Sequence, residues 1–67
     1  NDNRMIADGK TLVAANGAES ITIFDAAGNI VRKSTGNSIS TDNLNRGVYI
    51  LKVTKANKTY TYKAVIK

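Results

Sequence analysis

Sixty-seven residues with 42% hydrophobic content, no cysteine and no histidine describe one small domain, and they exclude disulfides and any thiolate or imidazole metal site. A chain this short buries only about 60% of the surface its unfolded form exposes, so marginal stability is expected, and no stretch approaches the roughly 18 apolar residues of a membrane span. The formal charge of +5 is unevenly spread: residues 1–31 set Arg4 and Lys10 against Asp2, Asp8, Glu19 and Asp25, a net −2, while residues 32–67 set eight Lys and Arg against Asp42 alone, a net +7. A basic half suits nucleic acid, acidic lipid or an acidic protein surface. Lysines lining solvent-facing strand positions, where they discourage edge pairing, explain it more simply.

Helical periodicity is missing, and the predicted elements are all strands. Residues 4–7 form a short first strand, closed by Asp8-Gly9, a dipeptide suited to a two-residue hairpin turn. KTLVAA (10–15) pairs back onto it, and Asn16-Gly17 offers a second turn of the same chemistry. In SITIFD (20–25), Ile21 and Ile23 share one face while Thr22 and Phe24 share the other. Gly28 in the following AAGN supplies the left-handed position of a short hairpin loop, from which NIVRK (29–33) returns antiparallel. Residues 34–38 read as a loop and 38–41 as a short edge segment. Asn45-Arg46-Gly47 is a turn that launches VYILKV (48–53), whose near-continuous apolarity predicts a central strand covered on most of both faces. After a turn at 55–58, TYTYKAVIK (59–67) points Tyr60, Tyr62, Ala64 and Ile66 one way and Thr59, Thr61, Lys63, Val65 and Lys67 the other.

About seven short strands with turn signals every eight to twelve residues predict an all-β fold, a small immunoglobulin-like antiparallel β-sandwich, with a five- or six-stranded barrel as the alternative. Gly9, Gly17, Gly28 and Gly47 are its expected turn glycines. Residues 1–67 are read as a single domain, with 1–7 as linker or incomplete first strand. The chain begins on Asn rather than Met and is expected to be a piece of a longer precursor.

Catalytic chemistry finds little footing. Asp8, Asp25 and Asp42 sit at predicted turns, where aspartate accepts backbone hydrogen bonds, no histidine is present to act as a base, and no G-x-S-x-G elbow occurs. No enzyme activity and no cofactor are expected. Asn1-Asp2-Asn3 is the closest approach to a hard-metal loop, and Asn57-Lys58-Thr59 fits a glycosylation acceptor only for a eukaryotic secretory origin. Tyr49, Tyr60 and Tyr62 with the basic second half could form a base-stacking platform, but their alternation assigns them to the core face. Nucleic acid is therefore not the expected partner.

Three segments in order, IFDAAGNIV (23–31), NRGVYILKV (45–53) and the terminal YKAVIK (62–67), resemble the C-terminal sorting domain (type A) of cargo proteins of the type IX, or Por, secretion system of Bacteroidetes. That family shows an Asp-x-x-Gly turn between strands, a Gly-Val-Tyr strand start and a Lys-x-x-Ile/Val-Lys-like end; the Asn-Pro pair many members carry near the domain's start is absent here. The resemblance implies an immunoglobulin-like signal domain fused behind a passenger. It further implies that the translocon reads the domain, carrying the passenger through periplasm and outer membrane to the cell surface or medium, and that a sortase-like peptidase then removes it. Carried over by position, it implicates Gly47, Val48 and Tyr49 at the strand start and Lys63, Val65, Ile66 and Lys67 at the end, with Val65, apolar on a basic face, as the position expected to touch a partner by strand addition. An extracellular adhesion or carbohydrate-binding accessory module of the same fold is the alternative, and an exposed edge leaves weak edge-strand dimerisation open.

Overall fold

Seven strands account for most of residues 4–67, the part of the chain that the computed structural model describes. They are β1 (Met5–Asp8), β2 (Thr11–Ala14), β3 (Ser20–Phe24), β4 (Ile30–Thr35), β5 (Ser38–Ser40), β6 (Gly47–Lys55) and β7 (Lys58–Ile66). All pair antiparallel in two sheets, ordered β1-β2-β5 and β4-β3-β6-β7. The fold is an immunoglobulin-like sandwich. It departs from the constant-type arrangement in one strand, since β4 sides with β3 rather than with β5.

Period-two alternation puts one face of each sheet inside. Ala14, Ile21, Ile23, Ile39, Tyr49, Leu51 and Val53 are buried, and Met5, Leu12, Leu44, Tyr60, Tyr62 and Ile66 pack against them. Tyr49, at the start of β6, donates its hydroxyl to the Asn45 carbonyl at 2.7 Å. A tyrosine there, bonded a few residues upstream in the connection between sheets, is the tyrosine corner of this fold class. The β4–β5 side is closed by side chains instead of a ladder: the Arg32 guanidinium donates to the Ser40 carbonyl at 2.8 Å and Ser34 Oγ to the Ser38 carbonyl at 3.0 Å. The two sheets thus remain separate, which excludes the barrel.

The four expected turn glycines all carry positive φ, at 62°, 82°, 92° and 151° for Gly9, Gly17, Gly28 and Gly47. Gly28 closes the β3–β4 turn by donating its N–H to the Asp25 carbonyl at 3.0 Å, while Asp25 Oδ1 accepts from the Ala27 and Asn29 amides at 3.0 and 2.8 Å. Those amides, Asn29 foremost, hold the Asp25 carboxyl below its ordinary pKa against an opposing desolvation. This is the role expected of a turn aspartate. Asp42 instead meets Lys10 Nζ at 3.5 Å on the surface, where such a pair contributes little.

Several local expectations are corrected. Asp8 pairs with Thr11, so the first hairpin's central residues are Gly9-Lys10, one step later than expected. Asn16-Gly17 does not close a hairpin: Gly17 N–H bonds the Ala14 carbonyl, and the chain crosses from one sheet to the other. Ser34 and Thr35 belong to β4, because Ser34 faces inward with a bond to make. β6 is central, but only its inner face is covered; Val48 stays 44% exposed. Met5–Ala7 lies within β1 paired to β2, while Asn1-Asp2-Asn3 falls outside the described residues.

Candidate functional site

The β6–β7 hairpin places the two suspected segments against each other. Gly47 pairs with Ile66, Val48 with Val65 and Tyr49 with Ala64, and the next pair is Ile50 with Lys63. The strand start and the chain end, far apart in sequence, therefore form one patch of ladder. Alternation splits it: Tyr49 is buried and Ile66 half-buried on the core side, whereas Val48, Lys63 and Val65 face outward. Lys67 follows the strand and is exposed.

The turn of this hairpin fixes which backbone groups remain open. Ala56 and Asn57, with φ of 52° and 66°, form its two-residue loop, the type I′ geometry that matches strand twist. Across such a loop Lys55 and Lys58 are the first pair to exchange hydrogen bonds, and the alternation of an antiparallel ladder repeats this at Tyr60, Tyr62, Ala64 and Ile66. The N–H and C=O groups of Thr59, Thr61, Lys63 and Val65 consequently point away from β6. The side chains of these same four residues are exposed.

Registers across the sheet assemble the outward face around them. One row runs Ile30, Phe24, Ile50, Lys63; Val48 and Val65 lie on one side of it, and Lys33, Thr22, Lys52, Thr61 on the other. Ile30 is 58% and Val65 55% exposed, so the row and the valine pair make an apolar corner open to solvent. Lys52 Nζ sits 5.1 Å from the Phe24 ring centroid, within cation–π range. Alternation puts Phe24 on this face, but Ile30 and Ile50 become its neighbours only through register across four strands, which is not written in any one of them.

At the end of the sandwich, a cleft of about 380 Å³ opens between the β1–β2 turn (Gly9, Lys10), Leu44 and residues Val65, Ile66 and Lys67. Two of its lining residues are tied together: the Lys10 carbonyl accepts from Thr41 N–H at 2.7 Å and Thr41 Oγ1 at 3.0 Å. The tyrosines do not form a platform for sugars or bases: Tyr49 is buried, and Tyr60 and Tyr62 pack inward against the core.

No curated protein and no solved structure matches the chain. The family model for the secretion system C-terminal sorting domain matches residues 6–67, a span that takes in every strand pair of the β6–β7 ladder and nearly all of β1. The chain belongs to that family, the C-terminal sorting signals of type IX secretion.

Proposed function

We propose that this domain acts without catalysis, as the tail by which a passenger fused at its N-terminal side is exported across the outer membrane, and that the translocon grips it through β7 and residues 65–67. A sortase-like peptidase then cuts the passenger from it. The observation that carries this reading is the ladder joining Gly47-Val48-Tyr49 to Ala64-Val65-Ile66. It sets residues 64–66 on an open edge beside a cleft, while the inward side chains of the same strand complete the core.

A passenger fused to the domain tests it. With residues 65–67 deleted, the passenger is expected to fold, to remain periplasmic and to stay uncleaved, as read by fractionation and immunoblot. Surface display at the parental level after that deletion would sink the proposal.

A further inference from the structure

The four strand edges of the sandwich are closed unequally. β1 and β5 are only four and three residues long. β4 shifts register against β3 between Ile23 and Phe24, and its inward Arg32 and Ser34 are tied to β5 carbonyls. Short strands, bulges and cover are the usual protections of an edge. β7 has none of these three: it runs nine residues, keeps an unbroken register with β6, and ends the sheet order among the described residues; its one protection is the charge of Lys58 and Lys63, which repels a like edge but not an acidic one.

At that edge the apolar corner begins with Val65, with Val48 and Ile50 one strand in, and Phe24 and Ile30 carry it across β3 and β4 to the far edge of the sheet. Its border is of one sign, Lys33, Lys52 and Lys63, and no outward strand position of this sheet carries a carboxylate. A second copy is a poor occupant, because pairing β7 with β7 would join two such lysine sets on one continuous face. Anionic lipid would satisfy the lysines and the apolar corner. It would leave the in-line N–H and C=O groups of Thr59, Thr61, Lys63 and Val65 without directional partners. An extended peptide pairs with those groups and sets its own side chains against Val65 and Lys63, the outward apolar and basic positions of the edge strand itself.

We propose that β7 docks an extended segment of a partner protein by strand addition, with an apolar residue beside Val65 and a carboxylate two positions away, beside Lys63. The inference rests on β7 being the recognised strand and supplies the chemistry of what recognises it. Specificity on such an edge comes from side chains at alternate positions, and here those positions are one apolar and one basic.

The test is an amide-resolved NMR titration of the full ¹⁵N-labelled chain. The probes are a synthetic ten-residue peptide with valine and glutamate at alternate same-face positions, the same peptide with lysine for glutamate, and phosphatidylglycerol vesicles. The glutamate peptide is expected to shift the amides of Thr59, Thr61, Lys63 and Val65, to slow their hydrogen exchange, and to weaken as salt is raised. Lys63→Glu should abolish that binding and let the lysine peptide bind in its place; Lys63 is exposed, so an unchanged melting curve verifies that the variant folds. The proposal is overturned if the glutamate peptide moves none of these amides, if Lys63→Glu binds it unchanged, if vesicles alone reproduce the shifts, or if the chain alone self-associates through them. Failure here with export still lost on deleting 65–67 would remove this surface and leave the sorting function standing; the reverse pattern would do the opposite.

Discussion

Tyr49 allows two contributions to stability to be separated. Its ring is 8% exposed within the core and its hydroxyl bonds the Asn45 carbonyl at 2.7 Å. Tyr49→Ala removes the ring and leaves a void, a change that costs about 3–5 kcal/mol for large aromatics in cores. A domain of this size holds roughly 3–10 kcal/mol in total, at about 0.05–0.15 kcal/mol per residue, so the alanine variant is expected to be largely unfolded or to melt far below the parent. Tyr49→Phe keeps the packing and deletes one hydrogen bond, worth about 0.5–1.5 kcal/mol net. With roughly 4–8 °C of Tm per kcal/mol for a domain of this length, phenylalanine should lower Tm by about 2–12 °C. Thermal melts followed by far-UV circular dichroism, with urea titrations to fix ΔG, read both. A phenylalanine variant as unstable as the alanine one would place the energy in the tyrosine corner rather than in the ring. An alanine variant melting with the parent would refute the burial itself.

Three other variants follow from backbone geometry and charge. Gly47 has φ of +151° with open space where a Cβ would stand, so Gly47→Val meets backbone strain alone and should cost about 1–3 kcal/mol; an unchanged urea midpoint would contradict the turn. Ala56 at φ 52° sits where alanine is strained by about 1–2 kcal/mol, so the double change Ala56→Asn, Asn57→Gly should raise stability by about 1 kcal/mol, measured as a higher Tm. The Asp25 carboxyl is held below its ordinary pKa, so its contribution is complete above the unfolded value of about 3.9 and fades as pH falls through the lower folded value. Urea midpoints of the parent should therefore decline in that acid range, and Asp25→Asn should flatten the decline.

Much of the fold was legible because period-two alternation and turn residues are local signals. Ile21 and Ile23, Tyr49, Leu51 and Val53, and the inward set of β7 were all assignable from spacing alone, and each lies buried or packed against the core. Local signals failed where a distant partner decided the outcome. Ser34 and Thr35 look like loop residues, yet Ser34 extends β4 because the Ser38 carbonyl waits across the gap. The apolarity of β6 suggested cover on both faces, and a sequence does not distinguish an outward Val48 or Ile50 meant for the protein's own second layer from one left facing solvent. Nothing within NIVRK marks Arg32 as the residue that reaches the Ser40 carbonyl between the sheets. As for the candidate site, its residues were named from a resemblance, but the register that unites them, Val48 against Val65 and Gly47 against Ile66, needed the hairpin geometry.

If β7 is the grip proposed above, that register lets one strand serve folding and export without either being hostage to the other. The β6–β7 ladder holds nine residue pairs, and deleting residues 65–67 removes two of them, those of Val48 and Gly47, both exposed. Tyr49 then pairs with Ala64 as the last rung, and the tyrosine corner at Asn45 is untouched. The buried cluster loses only the half-buried Ile66, a fraction of the roughly 1.5–3 kcal/mol that a fully buried side chain of that size contributes. A truncated domain should consequently stay folded with a lowered Tm while losing its outward Val65, its terminal Lys67 and one wall of the cleft. If truncation instead unfolded it, loss of export would report misfolding rather than a missing grip, so the melting curve of the deletion must be measured alongside the fate of the passenger.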